Sequence, residues 1–157
     1  MIFLTEYGQI EVTLRGSARS NRESETWRTS MAKKILADAD LKLGEKILGL
    51  LDSAKFSISV AIWILTEQDA EWKLVIGTPL YDRIGPLEAY GKLISAVRRD
   101  DPESRDFDDV RLMSNREPFI RDLRRLFGKT ASVKGKRLGG HHIGGVWLDD
   151  AVVYRIK

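Results

Sequence analysis

The stretch Phe56-Ser-Ile-Ser-Val-Ala-Ile-Trp-Ile-Leu-Thr66 decides the fold of this chain. Its apolar residues alternate with serines at first, and from Val60 onward both alternating sets of positions are apolar. A period of two is typical of a β-strand, and apolar residues on both faces indicate a strand inside a sheet. Residues 56–66 therefore predict a central strand.

The sequence on either side supplies further strands. Residues 67–70 form a turn into a strand over residues 72–77, so the two strands predict an antiparallel hairpin. Another strand is predicted over residues 107–113. Near the end of the sequence, residues 143–148 and 151–156 predict a second hairpin, joined at Asp149-Asp150.

Three helices are predicted between these strands. Their N-terminal signals are Asp40, Gly85-Pro86, and Ser114 or Asn115. They are expected to end near Ser53, Arg99 and Gly128. The apolar residues expected on their buried faces are Leu41, Ile47, Leu48 and Leu51; Leu87, Tyr90, Ile94 and Val97; and Phe119, Ile120, Leu123 and Phe127.

This order of elements predicts an α+β fold, in which an antiparallel sheet carries about three helices packed on one face. Ahead of it, the alternation around Ile10, Val12 and Leu14 predicts an N-terminal β-hairpin arm, followed by a polar linker. We therefore divide the chain into a hairpin and linker over residues 1–30 and a single α+β domain over residues 31–157. Because Met31-Ala-Lys-Lys is a plausible start, residues 1–30 are interpreted as an appended arm or an extension.

Composition excludes several classes of protein. The 157-residue chain has no cysteine, so disulfides, thiolate zinc sites and thiol catalysis are excluded. Its N-terminus lacks the pattern of a signal peptide, and its longest apolar run, residues 60–65, is too short to span a membrane. The common phosphate-binding-loop, dinucleotide-binding and nucleophile-elbow motifs are absent. We expect a cytoplasmic domain that binds no cofactor and does not associate with a membrane.

Positive charge is concentrated at the C-terminal end of the sequence. Residues 111–157 contain eleven lysines and arginines against four acidic residues, whereas residues 1–110 contain fifteen against nineteen. Such an asymmetry favours a polyanionic partner. The candidate residues for binding nucleic acid or an acidic protein surface are Arg116, Arg121, Arg124, Arg125, Lys129, Lys134, Lys136 and Arg137. Alternatively, they form a solvated helix face or pair with the acidic residues of the 100–109 stretch.

The two histidines, His141 and His142, are adjacent within a glycine-rich stretch. An HNH-type nuclease site would need a later Asn and a later His, and neither residue type follows His142. A histidine beside Lys136 and Arg137 would suit a metal-independent ribonuclease, which needs a base for the 2′-hydroxyl and cations for the phosphate. His141 and His142 are therefore the catalytic candidates, and the alternative is that one is packed and the other solvated.

Asp69, Glu71 and Lys73 have the local form of the acid-x-acid-x-Lys string of PD-(D/E)xK nucleases. A string this short arises by chance in a charged sequence, and residues 56–66 lack the acid that this family usually carries on the preceding strand. The alternative is a pair of charges across a hairpin. We predict no metal site.

The leading functional prediction is a non-enzymatic binding domain or accessory subunit whose basic C-terminal face engages nucleic acid or an acidic protein. One alternative is a protein interaction or oligomerisation module that binds no nucleic acid. If one of the four tryptophans is exposed, it would mark an interface with a partner protein or the interface of a homo-oligomer. The other alternative is the small ribonuclease that uses His141 or His142.

Several strings between residues 41 and 156 carry a resemblance. They are Ala61-Ile62-Trp63, Trp72-Lys73-Leu74-Val75-Ile76, Thr78-Pro79-Leu80, Gly85-Pro86-Leu87-Glu88-Ala89-Tyr90, and Gly145-Val146-Trp147-Leu148-Asp149-Asp150-Ala151 with Tyr154-Arg155. With these strings the chain resembles a group of small, uncharacterised bacterial proteins. The resemblance implies a bacterial cytosolic setting and a single domain, and it implies no activity.

Overall fold

The computed structural model describes residues 35–130 and 132–157. The elements of these ranges are, in order, α1 (Asp38–Ser53), β1 (Val60–Leu65), β2 (Trp72–Thr78), α2 (Leu80–Val97), β3 (Val110–Ser114), α3 (Pro118–Phe127), β4 (His141–Ile143), β5 (Val146–Leu148) and β6 (Asp150–Ile156). The α+β class is confirmed. The predicted N-terminal hairpin, the linker and the domain boundary at residue 30 lie outside the described residues.

The main sheet has four strands in the order β3-β2-β1-β6. The central position of β1 is confirmed, since it pairs antiparallel with β2 on one side and with β6 on the other. The prediction of an antiparallel sheet is wrong for β3, which pairs parallel with β2. A parallel pair needs a long crossover, and α2 with its flanking loops provides it. The sheet is therefore mixed.

The predicted hairpin near the end of the sequence is also wrong. β5 pairs with β4 in a separate two-stranded sheet. β6 does not pair with β5 and pairs instead with β1 in the main sheet. The turn between β4 and β5 consists of Gly144 and Gly145, whose φ angles are +56° and +84°. A two-residue hairpin turn of this hand requires positive φ at both positions, which glycine adopts without strain.

Apolar layers cover both faces of the main sheet, so the prediction that all helices pack on one face is wrong. Ala61, Trp63 and Leu65 of β1 belong to the core under α1 and α2. Val60, Ile62 and Ile64 belong to the second core, under α3 and the β4–β5 hairpin. A strand that is apolar on both faces must bury both, since successive side chains point to opposite sides of the sheet.

None of the helices in the described ranges is long and apolar enough to cross a membrane.

The first helix, α1, begins slightly before its predicted start. The backbone N–H of Ala37 donates to the Asp40 carboxylate at 3.2 Å, so Asp40 stabilises the helix from its first turn rather than as the N-cap. At the other end, Phe56 N–H donates to Leu51 O at 2.9 Å, and Lys55 has a φ of +62°. This is a Schellman ending with lysine at the left-handed position.

The second helix, α2, consists of two helical segments that meet at Gly85, where φ is +85° and Pro86 follows. The first segment begins at Leu80, before the predicted start. The buried positions of the second segment are Ala89, Leu93, Ala96 and Val97. Leu87 was predicted to be buried but is 87% exposed. Val97 is buried as predicted, but two of the other buried positions are alanines, which a pattern of large apolar residues leaves out.

The two outer strands of the main sheet, β3 and β6, have hydrogen-bond partners on their outer sides. At β3, the backbone N–H of Leu112 donates to the hydroxyl of Tyr90 on α2 at 2.9 Å. At β6, Gly135 N–H donates to Val153 O at 2.7 Å and Val153 N–H donates to Lys136 O at 3.0 Å. The segment containing Gly135 and Lys136 therefore covers the outer side of β6.

Candidate nucleic-acid interface

The most basic helix, α3, is amphipathic with its cations on the outside. Phe119, Ile120 and Leu123 are buried against the second face of the sheet, as predicted. The intervening arginines are exposed, namely Arg121, Arg124 and Arg125. This division follows from the helical repeat, in which residues three and four positions apart share a face, as Phe119, Ile120 and Leu123 do.

Two glycines fix the position of α3 on the sheet. Gly77 of β2 lies under the side chain of Ile120, where a Cβ atom would come within 2.9 Å of Ile120 Cγ2. Gly144 of the β4–β5 turn lies directly on the backbone of Phe119, and a Cβ atom there would overlap that backbone. The N-terminal end of α3 is therefore packed closely against the β4–β5 hairpin.

The C-terminal end of α3 gathers cations from three parts of the chain. Arg124 Nε donates to the backbone carbonyl of Lys157 at 2.7 Å. The Lys136 ammonium lies 5.6 Å from the centre of the Phe127 ring, within the range of a cation–π contact. We call this the α3 basic surface, and its residues are Arg121, Arg124, Arg125, Lys129, Lys136 and Lys157.

The carboxylate of Asp122 lies within this surface. Asp122 is 3.6 Å from Arg121 Nε and 3.7 Å from Arg125 Nη2, both beyond ordinary hydrogen-bond length. The two arginine side chains are 64% and 67% exposed, so water and salt weaken these ion pairs. Asp122 therefore leaves most of the positive charge available to a partner.

The remaining three candidate cations lie elsewhere. Lys134 reaches across to Glu45 of α1 at 3.4 Å. Arg137 forms an ion pair with Asp150. Arg116 precedes α3 at its opposite end, where its backbone N–H donates to Ser114 Oγ at 2.9 Å. The structure thus brings together five of the eight candidates and adds Lys157, which sequence spacing did not connect to them.

The two histidines are exposed on β4. His141 Nδ1 lies 3.2 Å from Leu138 O and 3.0 Å from Gly139 O. Carbonyl oxygens only accept, so Nδ1 is the nitrogen that donates to them, and Nε2 makes no hydrogen bond within the described residues. The two cations expected beside the histidines are engaged elsewhere, Lys136 with Phe127 and Arg137 with Asp150.

The string Asp69, Glu71 and Lys73 belongs to a network of charges. Asp69 accepts two hydrogen bonds from Arg111 of β3, at 3.2 and 3.1 Å, and this guanidinium lowers the pKa of the Asp69 carboxyl. Lys73 lies 3.3 Å from Asp109 and 3.8 Å from Glu71. Over residues 35–130 and 132–157, no group of three or more acidic or histidine side chains converges as metal ligands.

Three of the four tryptophans lie in the described ranges, and only Trp147 among them is exposed, at 46%. Its Nε1–H donates to Asp149 at 3.0 Å. Trp63 and Trp72 are core residues.

A second group of cations, on α2 and near the end of α1, was missed by the sequence reasoning. Lys92 is exposed on α2, and Arg99 is exposed two residues after the last residue of that helix. The sequence gives little signal for this group, because its cations are spread over residues 55–99. Comparisons of the chain with protein-family models, with curated proteins and with solved structures find no match.

Proposed function

We propose that this domain is a non-enzymatic binding module whose α3 basic surface engages the phosphates of nucleic acid. The observation that carries the proposal is that Arg124 and Lys136 both lie at the end of α3, where Arg124 holds the main chain of Lys157, beside Arg121 and Arg125. Cations on one exposed surface neutralise neighbouring phosphates and release condensed counterions, which favours binding at low salt.

Phosphate is favoured over a single protein carboxylate because the surface is broad and solvent-exposed. Exposed ion pairs between protein side chains contribute little individually. A polymer with a charge on every residue contacts several of these cations at once, and its affinity grows with the number of phosphates contacted.

The test is fluorescence anisotropy of labelled single-stranded RNA, single-stranded DNA and duplex DNA, titrated with the protein at ~50 to 200 mM salt. We expect micromolar binding with a steep salt slope. Arg121→Glu/Arg125→Glu should weaken it about tenfold or more and flatten the slope by about 2. Arg124 is left in place because it also holds the Lys157 carbonyl.

The matched control is Lys42→Glu/Arg105→Glu, which makes the same change in charge at exposed positions of α1 and of the loop before β3. Affinity should stay unchanged in this control. Absence of binding at ~50 mM salt, or equal affinities of the two double variants, overturns the nucleic-acid proposal and directs the search to an acidic protein.

The second candidate function is a metal-independent ribonuclease, and the hydrogen bonds of His141 favour it. Since Nδ1 faces two carbonyl oxygens, Nε2 is free to take a proton from a 2′-hydroxyl. This function predicts RNA cleavage that persists in EDTA, disappears in His141→Ala and survives in His142→Ala. An absence of cleavage, or cleavage that His141→Ala retains, removes this candidate.

A further inference from the structure

A groove runs along α2 beside the turn that links α1 to β1. Its floor is apolar and is formed by Phe56, Leu80 and Ala96, each less than a tenth exposed. Four cations border the groove, namely Lys55, Arg83, Lys92 and Arg99. Within the described residues none of these four makes an ion pair, and the bordering acid is Glu88. The groove therefore combines an apolar floor with four cations that have no ion-pair partner among the described residues.

An exposed apolar side chain and a gap lie on the α2 side of this groove. Leu87 is 87% exposed, directly after the Gly85-Pro86 break in α2. Gly91 follows one helical turn later, and a Cβ atom there would have no atom within 4 Å. Glycine inside a helix is less stable than alanine, and no neighbour in the described residues requires it at this position. Gly91 leaves room for a chain to approach α2 beside Leu87.

We propose that this groove binds an acidic, amphipathic peptide segment of a partner protein. Its carboxylates would pair with the bordering cations, and an apolar side chain would contact Leu87 and the apolar floor. Charge complementarity selects an acidic ligand, and the exposed leucine selects one that is also apolar. Phosphate alone would use the cations and leave Leu87 and the floor without a partner.

This proposal is independent of the proposed function. α2 covers one face of the main sheet, whereas α3 covers the other. Charge changes at Lys92 and Arg99 therefore leave the α3 basic surface intact, and changes at Arg121 and Arg125 leave the groove intact. Each proposal can fail without the other.

The probe is a fluorescein-labelled peptide of about fifteen residues built from glutamate and leucine, with leucine at helical spacing. Two control peptides carry lysine in place of glutamate or serine in place of leucine. We expect micromolar binding of the first peptide and at least about tenfold weaker binding of both controls. Lys92→Glu/Arg99→Glu and Leu87→Ser should each weaken binding about tenfold, while Lys42→Glu/Arg105→Glu leaves it unchanged.

The same variants separate this proposal from its competitors. Failure of the first peptide to bind, equal binding of the serine peptide, or full binding by Leu87→Ser overturns it. If an oligonucleotide loses affinity in Lys92→Glu/Arg99→Glu but keeps it in Arg121→Glu/Arg125→Glu, the groove is a nucleic-acid site and the peptide proposal is wrong. All the substituted side chains are exposed, so thermal melts should confirm that the variants fold.

Discussion

The indole Nε1–H of Trp63 on β1 donates to the hydroxyl oxygen of Tyr154 on β6 at 3.1 Å. The same hydroxyl donates to the carbonyl of Leu41 on α1 at 2.5 Å. Gly44 faces both aromatic side chains, and any Cβ atom at this position would overlap the Tyr154 ring. One phenol thus links the centre of the sheet, the neighbouring strand and the first helix.

Tyr154→Phe should lower the free energy of unfolding by about 1 to 3 kcal/mol, because it leaves the Trp63 N–H without a partner inside the protein. Urea denaturation measures the change. The matched control is Tyr81→Phe, since Tyr81 is half-buried and its hydroxyl makes no hydrogen bond within the described residues. Equal losses in the two variants would contradict the role given to the Tyr154 hydroxyl.

Asp69 should contribute to stability at neutral pH and lose that contribution in acid. Hydrogen bonds from Arg111 hold its pKa in the folded state below the ordinary value of 3.8. The contribution is therefore present above that value and disappears as the pH falls through the lower folded-state pKa. Because the pair is partly exposed, we expect about 0.5 to 1 kcal/mol.

Thermal melts from pH 7 down to pH 2 test this linkage. Asp69→Asn should melt lower at neutral pH, and the difference from the original protein should shrink as the pH falls. The control is Asp100→Asn, which removes an exposed carboxylate that forms no ion pair in the described part of the chain. A constant difference across the whole pH range would refute the pairing with Arg111.

Gly144→Ala should destabilise the protein by more than about 2 kcal/mol, because the new Cβ atom would overlap the Phe119 backbone and push the hairpin away from α3. Gly140→Ala separates this overlap from conformational strain. Gly140 also has a positive φ, +76°, but its Cβ position is open, so its substitution should cost about 1 kcal/mol. Similar melting temperatures for the two variants would rule out the close approach.

Lys55→Gly should stabilise the protein by up to about 1 kcal/mol, because glycine adopts the left-handed conformation that lysine occupies there at a cost. Ala54→Gly is the control, since the φ of Ala54 is −84° and glycine adds only chain entropy to the unfolded state. The free energies of unfolding should change in opposite directions. Destabilisation by both substitutions would show that the lysine conformation is unstrained.

The parts of the fold that depend on local pattern were predictable. The two apolar faces of β1 and the stripe of Phe119, Ile120 and Leu123 on α3 are periodicities that single segments carry in themselves. The parallel pairing of β3 was not predictable in this way, because a short buried strand has the same pattern in either direction. The path of β6 away from β5 was missed because Gly144-Gly145 was not recognised as the hairpin turn.

In the candidate site, too, local pattern predicts some features and misses others. The arginines of α3 could be placed on the surface from their spacing alone. Two contacts join distant segments of the chain, one between Arg124 and Lys157 and one between Lys134 and Glu45. Spacing along the sequence does not predict such contacts. The exposure of Leu87 was missed because two of the buried positions of α2 are alanines, which a pattern of large apolar residues leaves out.

The hydrogen bond from Leu112 to the Tyr90 hydroxyl has a consequence for how molecules of this protein meet one another. An outer strand normally offers backbone donors that a strand from another molecule can use, which is how sheets extend into aggregates. On β3 one such donor is already occupied by a side chain of the same molecule. Tyr90 therefore has two roles. It packs beside the core, and it hinders edge-to-edge growth of the sheet.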